Sequence, residues 1–278
     1  MNIGIVGNGF VGGAVANGMS NSSDVKVYDR DIDRSTHKYD EVVHCDFVFV
    51  CLPTPMTSVE GGDCNLSIIE DFFATLPQDC EGTFIIKSTV PVGTTDSLCE
   101  KHPHLKIVHN PEFLTAVNAK EDFLNADRHV VGGDVELLPP VVELYEKLYP
   151  DIPVYTMKSK ESECVKYFAN CFLASKLMVF NEMRLLCEAL EDVNYETIIE
   201  GVVSDRRIGN SHCYVPGPDG EYGFGGTCFP KDINALIRTM EENGINPMVL
   251  NSVWEQNKQV RLNWDWADNE SAVKEKTS

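Results

Sequence analysis

Several features common in other protein classes are missing from this 278-residue chain. No stretch of the roughly 18 apolar residues that a bilayer span needs is present, so no membrane helix is expected. Positive charge is scarce: 23 Lys and Arg stand against 43 Asp and Glu, a net charge of −20. A chain so acidic repels phosphate backbones and anionic lipid at long range, which argues against nucleic-acid and membrane partners. An anionic ligand must then be met by placed cations or helix N-termini. The ten cysteines form no Cys-x-x-Cys pair and no cluster with zinc-ligand spacing, and they are too sparse for a disulfide scaffold. Reduced thiols in the cytoplasm are expected, most of them small core residues, with no metal site. The N-terminus lacks a basic segment and runs straight into an apolar strand, so no signal peptide is expected. Repeats and low-complexity tracts are lacking too.

What is present reads as a globular protein: 43% hydrophobic residues and a length suited to one large or two ordinary domains. Short apolar runs at Ile3–Val6, Val25–Tyr28, Phe47–Cys51, Phe84–Lys87, Ile107–Val108, His129–Val131 and Val154–Thr156 alternate with helix-like stretches. That rhythm predicts an α/β fold with a parallel, doubly wound sheet buried on both faces. Pro139-Pro140 opens a predicted helix from Val141 to Tyr149. From Glu161 to Glu191 there is no Gly or Pro, and Val165, Phe168, Phe172, Leu177, Phe180, Met183, Leu186 and Leu190 recur at helical spacing. One long amphipathic spine helix is expected, suited to a domain junction or a dimer face. Residues 201–232 read as irregular. Further helices are predicted over Asp232–Asn243 and from Pro247 to about Asn263. The predicted organisation is a dinucleotide-binding domain over 1–157, an all-helical domain over 158–264 and a polar tail over 265–278, its last dozen residues frayed.

Gly7-Asn8-Gly9-Phe10-Val11-Gly12 follows the first strand and opens a helix, and Asp29 ends the second strand 22 positions after Gly7. This context is what turns a weak Gly-x-Gly-x-x-Gly match into a dinucleotide site. Gly7 permits the tight turn, Gly9 the approach of pyrophosphate, and Gly12 close helix–sheet packing. The helix N-terminus holds the phosphates. Asp29 would accept from ribose hydroxyls and disfavour a 2′-phosphate, pointing to NAD, although Arg30 or Arg34 could meet such a phosphate.

The most unusual stretch is Gly223-Phe224-Gly225-Gly226-Thr227-Cys228-Phe229-Pro230-Lys231-Asp232. A thiol beside a cation and a helix start has a lowered pKa and becomes a nucleophile. Ser88-Thr89-Val90-Pro91-Val92-Gly93-Thr94-Thr95 and Asn110-Pro111-Glu112-Phe113-Leu114 each follow a strand, where doubly wound sheets bind ligands. Lys166 and Asn170 lie four apart on the long helix and share a face, with Asn181 and Glu182 further along.

This ordered set resembles the UDP-glucose/GDP-mannose dehydrogenase family, especially its UDP-glucose 6-dehydrogenases, from residue 1 to about 260. The resemblance implies a Rossmann-type NAD domain, a helical middle domain and four-electron oxidation of a nucleotide-sugar C6 alcohol to a carboxylate. It implies that Cys228 is the nucleophile, forming a thiohemiacetal and then a thioester. By the same resemblance Lys166 and Asn170 stabilise the oxyanion, Asp232 and Thr89 position water or assist proton transfer, and Glu112 is a candidate base. NAD contacts are implied at Gly7, Gly9, Phe10, Val11 and Gly12, and further at Asp29, Arg34, Thr54, Thr89 and Lys231, the last on the nicotinamide side. Substrate contacts are implied at Glu112, Phe113, Leu114, Lys166 and Asn170, and also at Tyr214, Gly225 and Cys228. Arg207 matches an arginine that reaches the nucleotide sugar from the partner subunit, so a homodimer through the middle domain is expected.

Three departures stand out. Only 46 residues follow Asp232, too few for the second α/β, nucleotide-side domain that the family carries, so that domain is expected to be lacking and substrate binding weak. Ala116 stands where the family has a second acidic residue. Val215-Pro216-Gly217-Pro218-Asp219-Gly220-Glu221 looks like an insertion on the sugar side. Two alternatives share much of the pattern. One is an NAD-binding partner or regulator that needs a separate nucleotide-binding chain. The other is a 3-hydroxyacid-type dehydrogenase, whose chemistry has no use for a nucleophilic cysteine.

Overall fold

The computed structural model describes residues 1–20, 23–115 and 117–274. The chain divides into two compact units: Met1–Thr54 with Leu66–Lys166, and Pro55–Asn65 with the chain from Tyr167 onward.

In the first unit the order is β1 (Asn2–Val6), α1 (Phe10–Met19), β2 (Asp24–Tyr28), α2 (Tyr39–Val43), β3 (Phe47–Val50), α3 (Ser67–Ala74) and β4 (Thr83–Ile86). Then follow α4 (Thr94–Lys101), β5 (Lys106–His109), α5 (Ala119–Leu124), β6 (His129–Gly132), α6 (Leu138–Leu148) and β7 (Val154–Met157). The strands form one seven-stranded sheet in the order β2-β1-β3-β4-β5-β6-β7. Strand side chains alternate between faces. Val48 and Val50 pack with Val42, Phe72, Phe73, Phe84 and Ile86 on one face. Phe49 and Ile85 pack with Val15, Phe123, Val131 and Leu144 on the other. The sheet is thus covered by α2, α3 and α4 on one side and α1, α5 and α6 on the other, the doubly wound arrangement its apolar runs predict.

One feature differs from the expected all-parallel sheet: β5 and β6 pair antiparallel, through His109 and Gly132. An antiparallel neighbour needs no crossover back to the starting edge, and the β5–β6 connection contains only the six-residue helix α5. Apolar patterning carries no information about strand direction, so the run at His129–Val131 reads the same either way.

Helix α7 (Ser159–Ala189) is the long spine, 31 residues, and its residues from Tyr167 on belong to the second unit. That unit adds α8 (Tyr195–Val203), α9 (Phe229–Glu242) and α10 (Met248–Val260). The stretch read as irregular therefore begins with the end of a helix. Asn194 starts α8 by accepting from the Thr197 amide at 2.8 Å, a cap signal the glycine-rich sequence downstream overshadows. The polar tail after residue 264 is expected to fray over its last dozen residues. Instead, Trp266 is fully buried and donates to the Val59 carbonyl at 3.0 Å. Met56 exchanges backbone hydrogen bonds with Ala272 and Lys274, at 2.7 and 2.8 Å. Trp266 amid polar residues pins this segment, because it buries a large apolar area. Among the described residues no helix is long and apolar enough to cross a membrane.

Candidate active site

Chain order reverses at β1, which lies between β2 and β3, and in open α/β sheets ligands bind beside the strand ends at such a point. Gly7 sits there with φ +90°, and a Cβ on it would meet the Cys51 carbonyl oxygen at 2.5 Å. Gly12 faces the Gly7 carbonyl so closely that no side chain fits. Gly9 has nothing within 4 Å of its would-be Cβ, leaving its backbone open to a ligand. This is the cradle a pyrophosphate requires at the N-terminus of α1, and Phe10 and Val11 form its first turn. Asp29 accepts from the amides of Asn8 at 2.6 Å and Asp31 at 2.9 Å, which ties the end of β2 to the glycine turn. Arg34 is turned to Asp31 at 3.3 Å, while its carbonyl accepts from the Asn8 side chain. Thr54, buried, donates to the Thr89 carbonyl at 2.7 Å, joining the loops after β3 and β4.

At the end of β5, Lys166 of α7 donates to Glu112 twice, to the carboxylate at 2.8 Å and to the carbonyl at 2.6 Å. Both side chains are buried. Burial alone would raise the Glu112 carboxyl, but the Lys166 ammonium and the Leu114 amide hold it below the usual range. Phe113 lies under two cations, Lys166 at 5.6 Å and Arg128 at 4.4 Å. Leu114 is fixed by its amide bond to Glu112, at 2.7 Å.

Lys87 is a polar core residue that sequence reasoning missed. It is buried at the end of β4 and donates to Asn110 at 3.0 Å and to the Pro111 carbonyl at 3.3 Å. Burial pulls its ammonium down to about 8. Asn110 also donates to the Val130 carbonyl and accepts from Tyr145. The Asn-Pro-Glu turn is therefore held from beneath. A cavity of about 190 Å³ opens beside it, lined by Lys87, Glu112, Phe113, Arg128 and His129 among others. The only advance signal was the lysine inside an apolar strand run.

In the second unit Cys228 is the N-terminal cap residue of α9, half-buried, and its carbonyl accepts from the Asp232 amide at 2.8 Å. Lys231 and Asp232, both buried on the first turn, form an ion pair. Burial opposes the Lys231 charge, yet Asp232, Cys64 and Cys228 together raise its pKa. Asp232 also accepts from Asn170 of α7 at 2.6 Å. Cys228, Lys231 and Asp232 thus lie together at the start of α9, and Asn170 reaches Asp232 from α7.

The preceding glycine loop is held by side chains the motif does not contain. Asn181 accepts from the Gly223 amide at 2.8 Å. Asn257, fully buried, accepts from the Phe224 amide at 2.7 Å and donates back to its carbonyl at 3.0 Å. A Cβ on Gly225 would run into Asp265 and Arg261, so no side chain fits at this position. Gly226, with φ +73° and nothing near its would-be Cβ, is the open one. Arg207 is exposed and paired to Asp205, and Tyr214 is exposed as well. Ala116 lies outside the described residues.

A doubly wound sheet with a glycine turn at its switch point defines a Rossmann-type dinucleotide-binding protein. The models of the UDP-glucose/GDP-mannose dehydrogenase family match in two places: the NAD binding domain over residues 34–152 and the central domain over 160–259. The chain belongs to this family, and the residues of the glycine turn fit NAD as its cofactor. It is 35% identical over 232 residues to a UDP-glucose 6-dehydrogenase of Pseudomonas aeruginosa, covering 76% of this chain and 48% of the relative. The corresponding protein of Rickettsia conorii is 33% identical over 225 residues, covering 79% of this chain and 50% of the relative. The UDP-glucose dehydrogenase structure from Pyrobaculum islandicum superposes with a TM-score of 0.81 at 29% identity, over 93% of this chain and 68% of that one. The chain spans about half the length of the curated relatives it matches.

Proposed function

We propose that this chain carries out the NAD-dependent oxidation of a nucleotide-sugar C6 alcohol to the carboxylate, of the UDP-glucose to UDP-glucuronate kind, through Cys228. The observation that carries this reading is Cys228 at the start of α9 beside the buried Lys231–Asp232 pair. Bound NAD supplies the hydride acceptor for both two-electron oxidations. Gly7, Gly9, Gly12 and the first turn of α1 hold its pyrophosphate, and Asp29 faces its ribose.

The Cys228 thiolate, favoured by the Lys231 ammonium and the helix N-terminus, adds to the C6 aldehyde to give a thiohemiacetal. An aldehyde carbon offers no good hydride until a nucleophile makes it tetrahedral, so a cysteine is needed for the second oxidation. The resulting thioester is cleaved by water, releasing carboxylate and returning the thiolate. Asp232, held by Asn170 and Lys231, and Thr89 are the residues assigned to orient that water or assist its proton transfer. On α7, Lys166 and Asn170 stand one turn apart and supply the cation and the amide donor for the oxyanion. Glu112, paired to Lys166, is the candidate base that takes the C6 hydroxyl proton as the first hydride leaves. A homodimer formed through the exposed apolar stripe of α7 brings Arg207 to the partner's nucleotide sugar, and a reducing cytoplasm keeps the thiols free.

The test is stoichiometry. The protein with UDP-glucose is expected to form two NADH per uronate, and Cys228→Ser to form no uronate while NAD still raises the melting temperature. Unchanged NADH formation by Cys228→Ala would replace this reading with a simple two-electron dehydrogenase. NAD binding without NADH from UDP-glucose, UDP-N-acetylglucosamine or GDP-mannose would remove it.

A further inference from the structure

The glycine loop ahead of Cys228 leans on an ion-pair hub that the motif does not foretell. Arg261, just beyond α10, is 3% exposed. Its guanidinium donates to Asp219 at 2.8 Å, to Asp265 at 3.0 Å and to the Asn263 carbonyl at 2.9 Å. Its fork also reaches the Tyr222 carbonyl at 3.5 Å. The second oxygen of Asp265 accepts from the Gly226 amide at 3.0 Å, two residues before Cys228. Gly225 packs flush on the same pair and tolerates no side chain there. Asp219 belongs to the insertion Val215–Glu221, which the proposed reaction leaves without a role. Arg261 and Asp265 both lie past the stretch that the central-domain model matches.

We propose that Arg261 and Asp265 are positioning residues for Cys228: through the Gly226 amide they set the entry of the loop into α9, and with it the placement of the thiol beside Lys231. The inference rests on Cys228 being the nucleophile. The geometry gives the division of labour. Arg261 spans from insertion to C-terminal segment with a planar fork that lysine cannot reproduce. Asp265 converts that fixed point into a hold on one backbone N–H, at a glycine whose positive φ leaves the loop free to swing when the hold is lost. Beside the thiol, the Thr227 hydroxyl lies 3.8 Å from the sulfur. Against burial, the charge on Lys231 is favoured by its pair Asp232 on α9, by Cys64 on the segment 55–65 and by Cys228.

Iodoacetamide labelling of Cys228, followed peptide by peptide from neutral to alkaline pH, reads this placement without any turnover. Asp265→Ala is expected to slow labelling at neutral pH roughly fivefold and to move the profile to higher pH, because the thiolate loses its cation and helix start. Asp265→Asn keeps the volume but can accept from only one of its two donors, and is expected to show the same direction. It decides the matter if the alanine variant does not fold. Asp219→Asn, which loosens only the far side of the fork, is expected to change labelling less than about twofold. Wild-type labelling in both Asp265 variants overturns the proposal. So does an Asp219→Asn effect equal to that of Asp265→Ala, which would mean general loosening. Labelling that responds as expected in a protein making no NADH would leave the brace standing and remove the proposed reaction instead.

Discussion

His109 and His129 are neutral in the folded protein, each pulled down to about 3, chiefly by burial and also by Lys87. In the unfolded chain both titrate near 6.5. Between these values the unfolded state binds more protons, so stability rises with pH across the window and is lost as pH falls through it. His129 stacks on Tyr145 with ring centroids 3.9 Å apart. His129→Phe keeps a ring in place but removes the proton site. Its loss of stability between pH 7 and pH 5, measured by urea unfolding, is expected to be about 2 kcal/mol smaller than that of the native chain. An equal loss in both proteins would mean that His129 is already charged when folded. On the proposed reaction, Cys228→Ser is expected to keep the rise in melting temperature with NAD and to form no uronate.

Between elements, the strongest tie in the first unit is Glu163 of α7. Its buried carboxylate accepts from the Gly93 amide at 2.5 Å, from the Thr95 amide at 2.9 Å and from the Thr95 hydroxyl at 2.7 Å. It closes the N-terminus of α4, whose first amides have no partner within the helix. Glu163→Ala leaves these donors unmet in the interior and is expected to cost about 3 kcal/mol in urea unfolding. Glu163→Gln retains a carbonyl acceptor and should recover part of that loss. A full-strength alanine variant would show that water replaces the carboxylate.

For the molecule as a whole, the exposed face of α7 is the feature that demands a partner. Phe168, Phe172, Met183, Leu186 and Leu190 are all exposed. Their spacing places them on one narrow side of the helix. The proposed homodimer would bury that stripe. Phe172→Glu combined with Leu186→Glu is expected to shift sedimentation from dimer to monomer and to abolish turnover if Arg207 acts on the partner's substrate. A monomer with full activity would assign Arg207 to its own subunit or to none.

Much was legible in the linear chain, because periodicity and glycine are local signals. The seven strands, the spine helix and the turn at Gly7 follow from runs of apolar residues and from a backbone that needs φ above zero. The cluster at Cys228 follows from neighbours within five residues of each other. What the chain order could not show depends on long-range contact. Lysine and arginine are ordinarily solvated, so nothing in the residue types announces that Lys87 and Arg261 are buried. Glu112 and Lys166 are 54 positions apart, and Gly226 and Asp265 are 39 apart. The direction of β6 and the docking of Trp266 are likewise outcomes of packing. Local sequence determined which elements form and that Cys228 sits at a helix start. Tertiary structure alone decided which charges lose their water, because desolvation is set by everything that packs around a group and not by the residues beside it in the chain.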